Sequence, residues 1–495
     1  MCNCTRYFFV LCFTRLRLKP LIQFLLCLFL SGLAYSQEKY ASFFDEVDKK
    51  VAIDSSSKIF ISSIQISGNK KTKNYIIQRE MRLKTGDSIL ASTLFEKLKL
   101  SRELIYNTTL FTEVVCEPQF ISANEMKILV SVKEKWYIYP TPQFQLVDRN
   151  FNEWINTFNA DFNRVIYGAK FAHYNLSGRR DNLRIFLLTG YARNFSFSYY
   201  APYSNKKLTE GFSIGAGYTQ NREISYKTNA NNFLLRFSNA GFVRNTIAAS
   251  GAYIVRKGFY RRHVFSAGYT YTSVVDSVIT KYNTSYFGGF KSKIGFPEAA
   301  YNYVYIHTDN VKYPLTGKIY SLSFLKRGLG FTGGVNMLSA DANYNKYISH
   351  GKNWYSTVQS HVKIKIPFEL AYINQRAFGF GDLYLRGLEN YVIDGVANFL
   401  AQYTIKKKLL SFNIPVPIKN RIVSKIPLSI FAKTFADAGY SYSKAAYDSR
   451  LGNRFLYTGG FGLDILTLYD ISLNLEYSFN QLGEKGIFLH AKGGF

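Results

Sequence analysis

This 495-residue chain is short of long apolar runs, of cysteine and of acidic side chains. Beyond the N-terminus no run approaches the ~18 consecutive apolar residues of a membrane-spanning helix, so helices are not its way across a bilayer. Of five cysteines, Cys2, Cys4, Cys12 and Cys27 fall in the first 36 residues. That stretch reads as a secretory signal. Arg6, Arg15, Arg17 and Lys19 form its basic n-region, Leu21 to Leu30 its apolar core, and Ala34-Tyr35-Ser36 its cleavage site, making Gln37 the expected mature start. A retained anchor fits less well because the apolar core is short, and Cys27 has no small residues before it, which argues against a lipoprotein signal. Export leaves Cys116 alone, so no intrachain disulfide can form even in a compartment that permits one.

Acidic residues number 33 against 62 lysines and arginines, a formal charge of +29; loss of the four basic signal residues leaves +25. An excess of this size raises nucleic acid as a partner. In an exported chain the reading we adopt is a basic lumen and basic rims facing anionic lipid headgroups or acidic substrates, with no nucleic acid. Histidine is also sparse. His173, His263, His307, His350, His361 and His490 show no metal spacing, and neither a metal nor another cofactor is expected. Gly328-Leu329-Gly330-Phe331-Thr332-Gly333 matches a dinucleotide pattern, but no βαβ unit surrounds it. Gly211-Phe212-Ser213-Ile214-Gly215 matches a nucleophile elbow but lies in alternating sequence with no following helix. No catalytic residue is expected.

What is abundant is aromatic side chains, 17% of the chain, with 39 Tyr and 42 Phe. Together with glycine and short apolar alternation they point to many β-strands with aromatic girdles. Tyr139-Pro140-Thr141-Pro142 reads as a stiff joint, and period-two alternation follows to the end of the chain. Ile471, Leu473, Leu475, Tyr477 and Phe479 alternate with Ser472, Asn474, Glu476, Ser478 and Asn480. Val362, Ile364 and Ile366 alternate with His361, Lys363 and Lys365, and Phe233, Leu235 and Phe237 with Leu234, Arg236 and Ser238. Soluble sandwiches share this period. An export signal plus uninterrupted alternation favours a transmembrane antiparallel β-barrel, since only a closed barrel satisfies every strand's backbone in a bilayer. At ~10 residues per strand, residues 139–495 accommodate about 16 strands.

Before the barrel, residues 37–57 are a polar, flexible lead-in. In a chain that is mainly β, residues 58–138 read as one small α+β domain, β-α-α-β-β. It comprises a strand through Ile64 and Ile66 closed by Gly68-Asn69, a short helix capped by Thr72 and running through Met81, and a helix from about Ala91 to Tyr106 with Leu94, Leu98 and Ile105 on one face. Strands follow near Phe111 to Cys116 and Met126 to Val132. The order of SGN, LKTGD, the leucine-bearing helix, LFTEV and ILVSVKE resembles a POTRA domain, a periplasmic polypeptide-binding module. Such a domain adds an extended peptide to a sheet edge; the plainer alternative is a spacer that positions the barrel.

Phe378 to Gly395 carries too many glycines for a helix and places Arg386 between Leu385 and Gly387. Gly381-Asp382-Leu383-Tyr384-Leu385-Arg386-Gly387 resembles the Arg-Gly loop that the BamA/TamA-type outer-membrane assembly superfamily folds back into its barrel lumen. Phe435, Asp437 and Gly439 match that family's Phe-x-Asp-x-Gly strand. Asn175 to Gly178 and Tyr200 to Tyr203 resemble its early turn and strand end. The resemblance covers residues 58–495. It implies a lumen loop near 382–396 pinned by Arg386 to Asp437, a guanidinium fork on a carboxylate fixing distance and orientation together. Leu388 stands where the family has an aromatic, Asp382 replaces a glycine, and there is room for one POTRA-like domain. The last residues, with Ile487, Leu489, Ala491, Gly493 and Phe495 on one face and Phe488 on the other, resemble the terminal sorting strand of outer-membrane barrels. Small residues there (Ala491, Gly493, Gly494) make the strand easier to unzip.

The family's role implies a cofactor-free protein in the bacterial outer membrane, its N-terminal domain in the periplasm, that helps insert or translocate unfolded outer-membrane or secreted polypeptides. Its partners are expected to be those polypeptides, outer-membrane lipid and accessory periplasmic proteins or lipoproteins. A dedicated secretion pore for one exported partner and a passive porin-like channel are the alternatives. A barrel-embedded hydrolase would need a rim nucleophile and base that the sequence does not offer.

Overall fold

The computed structural model describes residues 56–146, 161–330, 335–381, 383–415, 425–444 and 449–492. The expected signal and all but the last two residues of the lead-in fall outside them. The described chain opens with β1 (Lys58–Ser67), α1 (Asn74–Glu80), β2 (Ser88–Leu90), α2 (Ala91–Tyr106), β3 (Phe111–Ser122) and β4 (Glu125–Glu134). The sheet runs β2-β1-β4-β3, with β1 and β4 parallel. The three-residue β2 is an addition to the expected β-α-α-β-β; it is too short to show a period. Ile76 and Ile77 of α1 and Leu94, Leu98 and Ile105 of α2 bury against Ile59, Ile61 and Val130 of the sheet. The spacings of four and seven among Leu94, Leu98 and Ile105 put them on one face of α2.

Thr72 does not cap α1. The helix starts after Lys73 with no side-chain cap. The Thr72 hydroxyl instead meets Tyr137 Oη at 3.1 Å and accepts from Asn175 Nδ2 at 2.9 Å, partners far away in sequence that outcompete a local cap.

The remaining chain is mainly β. Sixteen antiparallel strands, from β5 (Ile138–Leu146) and β6 (Val165–Tyr174) to the last strand (Lys485–Lys492), form one sheet in which chain neighbours are sheet neighbours. Two small inserts interrupt the order: Glu223–Thr228 paired with Leu234–Ser238, and Arg376–Phe378 paired with Ile393–Asp394. The alternation at Phe233 to Ser238 therefore belongs to a projecting hairpin and not to the barrel wall; period two identifies a strand but not its sheet. Tyr139 to Pro142 is likewise not a joint. It lies inside β5, where an edge position tolerates proline.

Along Ser472–Asn480, Leu473, Leu475 and Phe479 face out while Ser472, Asn474, Glu476 and Ser478 are buried inside. Val362, Ile364 and Ile366 repeat this against His361 and Lys365. A continuous apolar outer face of this extent matches a lipid-facing wall with a polar lumen. The turn before the last two strands comes back to the start of the chain's wall: Tyr106 Oη donates to Asp470 Oδ2 at 3.0 Å, and the ammonium of Lys135, three residues before β5, lies 5.4 Å from the Tyr469 ring centre.

The N-terminal domain docks at this rim. Arg79 donates to Leu208 O (2.9 Å) and Gly258 O (3.0 Å), Asn107 Nδ2 to Thr308 O (2.7 Å), Arg180 Nε to Thr108 O (2.9 Å) and Lys73 N to Gly178 O (3.0 Å). At the centre of the contact Glu80 and Arg256 form a buried ion pair, with Tyr203 Oη donating to Glu80 Oε1 at 3.0 Å.

Candidate functional site: a loop pinned inside the barrel

Between the strands Trp354–Ile366 and Ala397–Pro415 the chain leaves the wall and folds inward. The base of this excursion is held by Lys365, a buried wall residue whose ammonium donates to Asn374 O (2.8 Å), Arg376 O (2.6 Å) and Gly395 O (3.3 Å). Irregular backbone at membrane depth needs such partners. Ser441 Oγ adds a bond to Asp394 O at 3.0 Å. Farther along, Asn232, in the left-handed region at φ 65°, accepts from the Val392 N–H through its carbonyl (2.9 Å) and donates from side-chain Nδ2 to the Val392 carbonyl (3.0 Å). Neither Lys365 nor Asn232 was identified from the sequence. A lysine on the inward face of an apolar-alternating strand was the available signal for the first.

At the inner end Arg386 reaches Asp437 on the strand Lys425–Tyr442. The Arg386 backbone N–H donates to Asp437 Oδ2 at 2.9 Å, Nε to both carboxylate oxygens at 3.2 and 3.0 Å, and Nη2 to Oδ1. Nη1 donates to Thr404 Oγ1 at 2.9 Å, Gln402 Nε2 to Asp437 Oδ2 at 2.8 Å, and the guanidinium lies 4.0 Å from the Phe435 ring centre. The Asp437 side chain is 0% exposed. The ion pair is thus bidentate, stacked and dry, the arrangement in which arginine differs most from lysine.

Two glycines make room for it. Gly387 has φ 92° and a Cβ there would stand 3.0 Å from Ser478 Cβ, while its carbonyl accepts from Asn480 Nδ2 at 2.8 Å. A Cβ on Gly439 would stand 3.3 Å from Leu385. Leu385 and Leu388 pack with Phe378, Tyr391, Ile393, Leu400, Leu451 and Leu456 in a small core inside the lumen, so Leu388 fills an apolar slot. Gly381 lies at an exposed bend, and Asp382 is outside the described residues. In the last strand Phe488 faces inward and Ile487, Leu489 and Ala491 outward; Gly493 and Phe495 are outside the described residues.

A second polar chain lies beside the pin. Lys433 Nζ stands 2.5 Å from Asp464 Oδ1 and 2.6 Å from Glu476 Oε1; His490 Nε2 stands 3.6 Å from Glu476 Oε2 and 3.0 Å from Glu389 Oε1. Tyr384 stacks on His490 at 5.6 Å. Sequence spacing gave no hint that ligand atoms of Glu389, Glu476 and His490 lie within 4.8 Å of one another. With the Lys433 ammonium already between Asp464 and Glu476, the cluster reads as an ion-pair network bracing loop to wall.

Residues 59–135 match the family model described as "POTRA: Surface antigen variable number repeat". No curated protein matches the chain. Among solved structures it is similar to BamA from Haemophilus ducreyi lacking POTRA domains 1-3, at 16% identity and TM-score 0.48, over 88% of this chain and 84% of that one. It is also similar to CdiB from Escherichia coli (10%, 0.45, 97% and 99%) and CdiB from Acinetobacter baumannii (11%, 0.44, 88% and 73%). The chain thus carries a POTRA domain over residues 59–135 that leads directly into a 16-stranded antiparallel wall with an apolar exterior.

Proposed function

We propose that the protein handles polypeptides at the outer membrane, assisting their insertion or translocation, without catalysing a covalent reaction. The observation that carries this reading is the docking of the POTRA domain on the periplasmic turns of the barrel, with β3 as an edge strand of its sheet. An edge strand offers main-chain donors and acceptors to an extended peptide with little sequence preference. A domain that only spaced the barrel from the periplasm would not need Arg79, Glu80 and Asn107 to engage the wall at Leu208, at Arg256 to Gly258 and at Thr308. Arg386, Gly387, Asp437, Phe435 and Gly439 act in this reading as the clamp that keeps the lumen loop at one depth, with Gly381 at its entry. A passive porin has use for neither the docked domain nor the clamped loop. A dedicated secretion pore would use both.

Depletion of the protein followed by outer-membrane and secreted-protein proteomics separates these. We expect many barrel proteins to fall together. Loss of one secreted protein alone would assign the protein to dedicated secretion, and an unchanged profile would remove polypeptide handling altogether.

A further inference from the structure

Two arginines stand directly opposite each other on neighbouring strands of the wall. Arg256, on Arg244–Lys257, pairs in register with Arg262, on Arg261–Val274. Phe265, Tyr269 and Tyr271 of the second strand face outward, so the alternation turns Arg262 inward beside the buried Arg256. Like charges so placed repel. Arg180, in the turn after β6, is a third cation whose charge acts on Arg262. Of the three, Arg256 is neutralised by Glu80. Arg180 donates to the carbonyls of Thr108 and Asn107, and among the described residues Arg262 makes neither a hydrogen bond nor an ion pair.

These side chains share a cavity of about 380 Å³ between α2 and the wall, which Thr308 also lines. Glu103, the other acid on its lining, lies among Lys99 and Arg102 of its own helix. Thr308 and Arg256 are only 4% and 5% exposed, yet among the described residues the Thr308 hydroxyl and Arg256 Nε have no hydrogen-bond partner. Buried donors without acceptors are costly. A water could serve the hydroxyl but would leave the facing guanidiniums repelling one another. An anion with several oxygens answers both needs. A carboxylate offers two coplanar oxygens, whereas a phosphate group turns its oxygens in several directions, toward guanidinium forks reaching it from separate elements and toward a hydroxyl.

We propose that this cavity binds a phosphate group, held by Arg262, Arg180 and Arg256 with Thr308 donating from the wall. Its lining comes from both the N-terminal domain and the barrel, so the bound anion would add a second electrostatic tie between them beside Glu80 and Arg256. The inference is independent of what the protein does with polypeptides.

The test measures binding of radiolabelled inorganic phosphate to the full chain in dodecyl maltoside, by equilibrium dialysis with ionic strength held by sodium chloride. Saturable binding near one phosphate per chain is expected. Arg262→Gln should weaken it at least about tenfold and Thr308→Val about fivefold, the sizes of a charged and an ordinary lost hydrogen bond. Arg261→Gln, which removes the exposed neighbouring charge, should leave it unchanged. Thr308→Val keeps the side-chain shape and serves should Arg262→Gln fail to fold. Repeating the measurement in nanodiscs separates two sources of the group. Phosphate displaced in phosphatidylglycerol discs but bound in phosphatidylcholine discs identifies a lipid headgroup as the natural occupant, and equal binding in both identifies a soluble phosphate. Absence of saturable binding in detergent overturns the proposal, as does binding that both Arg262→Gln and Thr308→Val leave unchanged or that Arg261→Gln weakens as much as they do.

Discussion

Arg386 and Asp437 show what a single pair of residues does in a restricted lumen. With Asp437 shut off from solvent, Arg386→Ala leaves a carboxylate buried without its cation, at a cost of about 3–5 kcal/mol. The expected outcome in limited proteolysis is rapid cleavage near Gly381 in a barrel that otherwise stays intact. Arg386→Lys keeps the charge but not the fork, and should restore only part of the protection. Gly387→Ala has a different cause. At φ 92°, with Ser478 Cβ 3.0 Å from the new methyl, the left-handed backbone costs about 1–2 kcal/mol, read as an earlier denaturant midpoint. Cys116 belongs to the POTRA core, and burial pushes its thiol up to about 12. Iodoacetamide at pH 8 should therefore modify it slowly until the domain is unfolded. Arg386 was legible because its neighbours form a motif with glycines at fixed offsets. The chain from Lys433 to Asp464, Glu476, His490 and Glu389 was not, since its members lie on four successive paired strands and an inward loop, brought together by sheet register and the loop's fold.

At the scale of elements, the helix Ala91–Tyr106 was readable because apolar positions recur on one face. β2 was not, and the end of α1 carries a residue whose partner no local pattern reveals. Glu80 closes that helix and turns toward Arg256 of the barrel. Burial pulls its carboxyl up, but the adjacent Arg256 guanidinium outweighs this and holds it below the ordinary range. A carboxyl depressed in the docked state lends stability that is complete above its free value, near 4.3, and is lost as pH falls through the depressed one. Docking, followed by cross-linking of a cysteine placed in α1 to one in the turn at Gly258, should thus be flat between about pH 5 and 8 and weaken below about pH 4. Glu80→Gln should remove that acid dependence and loosen docking by about 3–5 kcal/mol at neutral pH, because Arg256 is left buried without its counter-charge.

For the whole molecule, the number of strands followed from length and alternation, whereas the curl of the sheet and the seating of the domain did not. Those depend on contacts such as Asn107 with Thr308 and Tyr106 with Asp470, separated by hundreds of residues and invisible to any period. A chain lacking residues 58–134 but keeping its barrel should assemble into the outer membrane yet fail to rescue a depletion strain; full rescue would reduce the domain to a spacer. The domain's seating has a mechanical consequence. It is joined covalently to the first barrel strand through Lys135 and Trp136, and it grips the turn at Tyr469 and Asp470 that launches the final two strands. Like a buckle fastened to both ends of a belt, it holds the two ends of the wall, so a pull on the N-terminal domain would be felt at once at both.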